Sequence, residues 1–150
     1  MTAKKIRKPL RGTRKSTKDF NKSMRFLGVN AAGIRSKFNT FKKVITELKP
    51  SVFFLEETKV KDVGKIKLEN YIIFELVRQD RGGGGLALGC DKDWNPVWVR
   101  EGDDMVEALS VEIYLKEIKI RCWVAYGCQE NDLIERKKAF WSYLDEEITS

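Results

Sequence analysis

Two polar residues end apolar runs about one strand-helix-strand unit apart: Asn30 after residues 24–29, and Glu57 after residues 52–56. That spacing fits a strand, a crossover helix and a parallel strand, so both side chains are expected at the same carboxyl edge of a sheet, where α/β proteins build their sites. An amide oxygen and a carboxylate on one edge are hard donors suited to a divalent cation such as Mg²⁺. The chemistry this invites is hydrolysis of a phosphate ester, which also needs a base to take a proton from water. The sequence contains no histidine for that role. The expectation is an incomplete metal-dependent phosphodiesterase fold.

Other chemically suggestive residues have plainer readings. Asp103, Asp104 and Glu107 lie in an expected turn and are read as facing water. The glycine run 82–85 is followed by no Gly-Lys-Ser/Thr and by no helix, so it reads as a flexible lead into a strand rather than a phosphate cradle. Cys90, Cys122 and Cys128 are an odd number without Cys-x-x-Cys spacing, which argues against disulfides and zinc and for small buried thiols. Trp94, Trp98, Trp123 and Trp141 read as core or rim packing rather than base-stacking platforms.

The elements that must position Asn30 and Glu57 alternate in type, which favours an α/β architecture. Residues 24–30 read as a buried strand. Phe38, Phe41, Val44, Ile45 and Leu48 then recur at helical spacing until Pro50 stops the helix. Residues 52–55 form a continuous apolar run expected of a strand covered on both faces. A short helix is possible at 63–68. Strands follow at 71–77, 86–90 and 97–99, then two long ones at 108–115 and 118–126, separated by Lys116 and Glu117 as in a tight hairpin. A final helix is expected, capped by Asn131 or Asp132, with Leu133, Ile134, Phe140, Trp141, Leu144 and Ile148 as its apolar stripe. No internal repeat is visible.

At 150 residues the chain is one domain at most. Its formal charge of +7 is unevenly placed. Residues 1–23 hold nine of the 29 basic residues and one of the 22 acids, leaving 20 basic and 21 acidic side chains, a net of −1, for residues 24–150. The first segment has too few apolar residues to offset the entropy of ordering and is expected to be a disordered basic arm. Lys4, Lys5, Arg7, Lys8, Arg11, Arg14 and Lys15 are its candidate phosphate contacts. A solubilising or leader segment is an equal reading of the same residues. No apolar run approaches the roughly 18 residues of a membrane span, and no secretory signal is present, so an intracellular protein is expected.

Four motifs then stand in order: residues 25–30 with Gly33, residues 54–59 (Phe-Leu-Glu-Glu-Thr-Lys), residues 81–88 (Arg-Gly-Gly-Gly-Gly-Leu-Ala-Leu) and residues 125–130 (Ala-Tyr-Gly-Cys-Gln-Glu). With the helix 136–144 and its Phe140-Trp141 pair, residues 24–148 resemble the endonuclease/exonuclease/phosphatase superfamily. Within it they are most similar to the apurinic-endonuclease-like nuclease domain of LINE-type retrotransposons. The resemblance implies the amino-terminal half of a four-layer αββα sandwich. It further implies Asn30 and Glu57 as ligands of Mg²⁺ or Mn²⁺, and Tyr126 as the contact of the scissile phosphate. Glu56 departs from the family's glutamine and Cys128 from its proline; strand alternation is expected to turn Glu56 to the opposite face.

The family's Gly-Asp-x-Asn and Ser-Asp-His segments have no counterpart here. The expectation is therefore a partial DNA endonuclease domain, inactive alone and weak in metal binding, in the nucleus if the source is eukaryotic. Only the first of the two sheets is expected in the main, its open inner face needing the missing carboxyl-terminal half or another chain. Two alternatives remain: non-catalytic nucleic-acid binding through the arm, and a degenerate fragment without activity.

Overall fold

The computed structural model describes the backbone of residues 4–7 and the whole of residues 23–78, 83–115 and 118–150. In chain order these form β1 (Lys4–Arg7), β2 (Phe26–Asn30), α1 (Phe38–Leu48), β3 (Val52–Glu56), β4 (Tyr71–Arg78), β5 (Leu86–Asp91), β6 (Val97–Glu101), β7 (Ala108–Leu115), β8 (Ile118–Ala125) and α2 (Ile134–Thr149). Among the described residues the strands make a five-stranded sheet, β1-β4-β5-β3-β2, and a three-stranded sheet, β6-β7-β8. The layers run helix, sheet, sheet, helix, with α1 on the first sheet and α2 on the second.

Sequence sets each layer. In β3 the alternation is strict: Phe53 and Leu55 join Phe41 and Ile45 of α1 in one apolar cluster, while Val52 and Phe54 face Leu109, Val111 and Ile113 of the second sheet in another. Each fully buried side chain of this size is worth roughly 1.5–3 kcal/mol. Phe53 fits because Gly89 lies opposite it in the β3–β5 register; a Cβ there would come within 2.0 Å of the ring. α1 ends as Lys49 turns left-handed (φ 46°) and donates its N–H to the Ile45 carbonyl at 2.9 Å, with Pro50 next. Leu48, expected on the buried stripe, is exposed.

Among the described residues only β2 and β3 run parallel, with Asn30 opposite Glu56; the other ladders are antiparallel. The shared carboxyl edge is thus real for the one pair that needs it.

Several expectations are corrected. The second sheet is present and buries the inner face of β3, β4 and β5, because the alternating runs of β7 and β8 supply the cover. What stays open is the β2 margin, where Phe26 is 53% exposed. Residues 63–68 form no helix: Gly64 is left-handed (φ 82°) and donates to Glu75 Oε2 at 2.6 Å, which pins a turn, and Ile66 and Leu68 plug the α1 side as extended chain. Residues 4–7, expected in a disordered arm, form β1 with Lys4 opposite Arg78 and Arg7 opposite Glu75. The ladder uses backbone groups offered by the open edge of β4, so side-chain charge does not forbid it. Lys8, Arg11, Arg14 and Lys15 lie outside the described residues, as do Arg81, Gly82, Lys116 and Glu117.

In α2 neither Asn131 nor Asp132 caps the first turn. Leu133 is the N-cap, and Asp132 instead accepts from the Gln129 N–H at 2.7 Å and from Arg136 at 3.0 Å. The buried face is Phe140, Tyr143 and Glu147, with Leu144 partly covered, while Leu133, Ile134, Trp141 and Ile148 point outward. Ion pairs from Arg100 and Arg121 to Glu147 rotate the helix to that face. Trp94 and Trp98 pack as expected; Trp123 and Trp141 are exposed.

Candidate functional site

Beyond β2 and β3 the two chains stay side by side. Ala31, Gly33 and Ile34 donate backbone N–H groups to the carbonyls of Glu56, Glu57 and Thr58 at 2.8, 2.8 and 3.0 Å. Asn30 Oδ1 accepts from the Ala32 N–H at 3.0 Å, which fixes the amide, and its Nδ2 donates to Glu57 Oε1 at 3.2 Å. Glu57 is left-handed, with φ of 51°, a conformation that costs a non-glycine residue of order 1–3 kcal/mol.

The glycine run holds that strained turn. Thr58 and Lys59 donate backbone N–H groups to the carbonyls of Gly85 and Gly84 at 3.1 and 2.9 Å. Gly85 itself has φ of 88°, and a Cβ on it would lie 2.5 Å from the buried Thr58 hydroxyl. Gly84 and Gly85 thus cradle the Glu57 segment through their backbone carbonyls.

Tyr126 follows β8 and reaches the same carboxylate from the second sheet. Its hydroxyl donates to Glu57 Oε1 at 2.9 Å, and Gln129 Nε2 donates to that hydroxyl at 3.3 Å. The three residues singled out in sequence, Asn30, Glu57 and Tyr126, therefore converge. Glu107, expected in water, is 5% exposed and sits behind them. Its carboxylate pairs with Arg78 and accepts from the Gly85 N–H, and its carbonyl accepts from the Tyr126 N–H at 2.8 Å. One buried acid so ties the glycine cradle to the tyrosine. No motif announced it, because its partners lie 22 and 29 residues away.

Electrostatics follow from these bonds. The hydrogen bond from Asn30, then that from Tyr126, holds the Glu57 carboxyl below the ordinary range against some desolvation, and Lys59 at 4.0 Å helps. The carboxylate pushes the Tyr126 phenol up. Glu56 is pushed up by burial and then by the charge of Glu57. Alternation does not remove it from the site: the register places Glu56 on the face of Asn30, and it is the left-handed turn that breaks the alternation at Glu57.

For a hard divalent cation the donors fit in kind. Glu57 offers a carboxylate and Asn30 an amide oxygen, the minimum for an ion that retains waters, although that oxygen here accepts from Ala32 while the amide nitrogen faces Glu57; the absence of thiol or imidazole beside them disfavours zinc. Among the described residues no three His, Cys, Asp or Glu gather. Beside Glu57 opens a cavity of about 360 Å³ lined by Arg35, Lys59, Lys61 and Lys65 with Asp62, over a floor of Ile34, Phe38, Val60 and Ile66. Lys59, Lys61 and Lys65 come from the connection between β3 and β4, and Arg35 from the turn before α1, so only the fold brings the four together.

The AP endonuclease LMAP from Leishmania major superimposes with a TM-score of 0.63 at 18% identity, covering 95% of this chain and 52% of that one. A humanised TDP2 from D. rerio with 14 mutations gives a TM-score of 0.61 at 13% identity, covering 85% and 60%. The chain spans about half to three fifths of the length of these structures. No protein-family model and no curated protein matches the sequence. At these identities the likeness is one of fold: the chain shares the two-sheet α/β sandwich of these structures over the part that it spans.

Proposed function

We propose that the chain is part of a divalent-cation-dependent phosphodiesterase domain of retroelement DNA endonuclease type, and that alone it does not turn over. The observation that carries this reading is the meeting of Asn30 Nδ2 and Tyr126 Oη on one oxygen of Glu57, from two different sheets. Asn30 and Glu57 would hold Mg²⁺ or Mn²⁺, and the bound cation would polarise a phosphate oxygen and offset charge on the leaving group. Tyr126 donates its single O–H to Glu57 here, and would donate it to a phosphate oxygen only on releasing that bond. Lys59 and the cations lining the neighbouring cavity favour a polyanionic substrate, and DNA is the one the fold neighbours suggest. The general base is what the site lacks, since the chain has no histidine, no Gly-Asp-x-Asn and no Ser-Asp-His.

A relaxed plasmid incubated with Mg²⁺ tests the proposal. The chain alone is expected to leave it intact. A supplied carboxyl-terminal portion of a longer relative should restore nicking, and Glu57→Gln should abolish it again. Nicking by the unaided chain that disappears in Glu57→Gln would overturn the inactivity. Mn²⁺ binding equal in the parent and in Glu57→Gln would overturn the ligand assignment.

The second reading, sequence-independent nucleic-acid binding without catalysis, is favoured by the arm's charge density. Lys4, Lys5, Arg7, Lys8, Arg11, Arg14 and Lys15 would supply its phosphate contacts.

A further inference from the structure

The outer face of α2 is a feature that the site does not use. Its inner face is occupied: Phe140 and Tyr143 are buried with Val106 and Ala108, and Glu147 meets Arg100 at 3.1 Å. On the other side Ile134, Lys138, Trp141, Asp145 and Ile148 recur at steps of four, three, four and three residues. Ile134, Trp141 and Ile148 are 65%, 65% and 74% exposed. The repeat is that of a two-helix seam, and a line of large apolar side chains in water marks an interaction surface.

Charge narrows the choice of partner. On this face Lys138 stands in the first half of the helix and Asp145 in the second, whereas Arg136 pairs with Asp132, and Glu146 and Glu147 pair with Arg100 within the chain. Two copies running antiparallel bring Lys138 of each to Asp145 of the other.

We propose that the chain self-associates through this face, with α2 antiparallel to α2 of a second copy about a two-fold axis near Trp141. Ile134 then meets Ile148 of the second copy, the two Trp141 rings meet at the centre, and Lys138 comes opposite Asp145, twice by symmetry. A 16-residue helix is about 24 Å long, so the contact falls at the small end of specific interfaces and the dimer depends on concentration.

Sedimentation equilibrium of the full chain over a concentration series reads the proposal. The mass should rise from 17.4 kDa toward twice that value and stop there. Trp141→Ala should weaken association by at least about thirtyfold, with far-UV circular dichroism and thermal midpoint unchanged. Lys138→Asp should weaken it roughly tenfold, and Lys138→Asp with Asp145→Lys should restore it. These two residues stand about 10.5 Å apart along one helix, so restoration has to come from a second copy. A chain monomeric throughout, a mass that grows without limit, a dimer indifferent to Trp141→Ala, or a double reversal that restores nothing would each overturn the proposal.

Discussion

Glu57 and Tyr126 shift each other in opposite directions, and the sign of each sets a pH window. The carboxyl is held low, so the stability it contributes is complete above its unfolded value of 4.5 and is lost as pH falls through the lower folded value. The phenol is held high, so its contribution is complete below 10.0 and is lost as pH rises through the higher folded value. Tyr126→Phe removes the second hydrogen bond to Glu57, and the carboxyl should then titrate closer to 4.5, as read by carboxyl carbon NMR shifts. An unmoved titration would mean that the bond does not form. Glu107→Ala strands the Arg78 guanidinium in the interior and should cost about 3–5 kcal/mol in chemical denaturation. Asn30 and Glu57 were legible in the sequence because each closes an apolar run. Glu107 was not, since Asp103 and Asp104 before it signal a turn, and its burial depends on Arg78 from another strand. Nor does anything in Glu-Glu-Thr announce a left-handed backbone, which comes from the flanking loops.

At the scale of elements, the core strands and α1 were readable because their apolar periods are unbroken. Reading failed where a tertiary partner decides the outcome. Val63, Ile66 and Leu68 have helix-like spacing, but Gly64 bonds to the Glu75 carboxylate in a turn and the segment forms no helix. In α2 the apolar positions lie on both sides, and Arg100 and Arg121 select the inward one by pairing with Glu147. The β3–β5 contact offers a sharp test. Gly89→Ala drives a methyl into the Phe53 ring and should lower stability by about 1–3 kcal/mol, seen as a lower thermal midpoint. An unchanged midpoint would show that Phe53 has room to move.

For the whole molecule, layer order was legible in the alternation of element types, whereas the completeness of the second sheet was underestimated. The runs of β7 and β8 were seen as strands, but that they fold back to roof the first sheet depends on long-range packing of Leu109, Val111 and Ile113 against Phe74 and Leu88. Charge belongs to this scale too. Replacing Lys8, Arg11, Arg14 and Lys15 together by Gln should flatten the dependence of nucleic-acid affinity on log salt by up to about 3.6. Filter binding would show it, and equal slopes would remove the arm from the interface.

The carboxylate of Glu57 hangs from one sheet and the phenol that grips it from the other. Sliding the sheets by a single residue would displace the two groups by about 3.3 Å, beyond the reach of a hydrogen bond. The pair works as a gauge of registration: it closes only when both halves of the sandwich have docked in one alignment, so a collapsed but misaligned chain would keep its cores and lose the junction of Asn30, Glu57 and Tyr126.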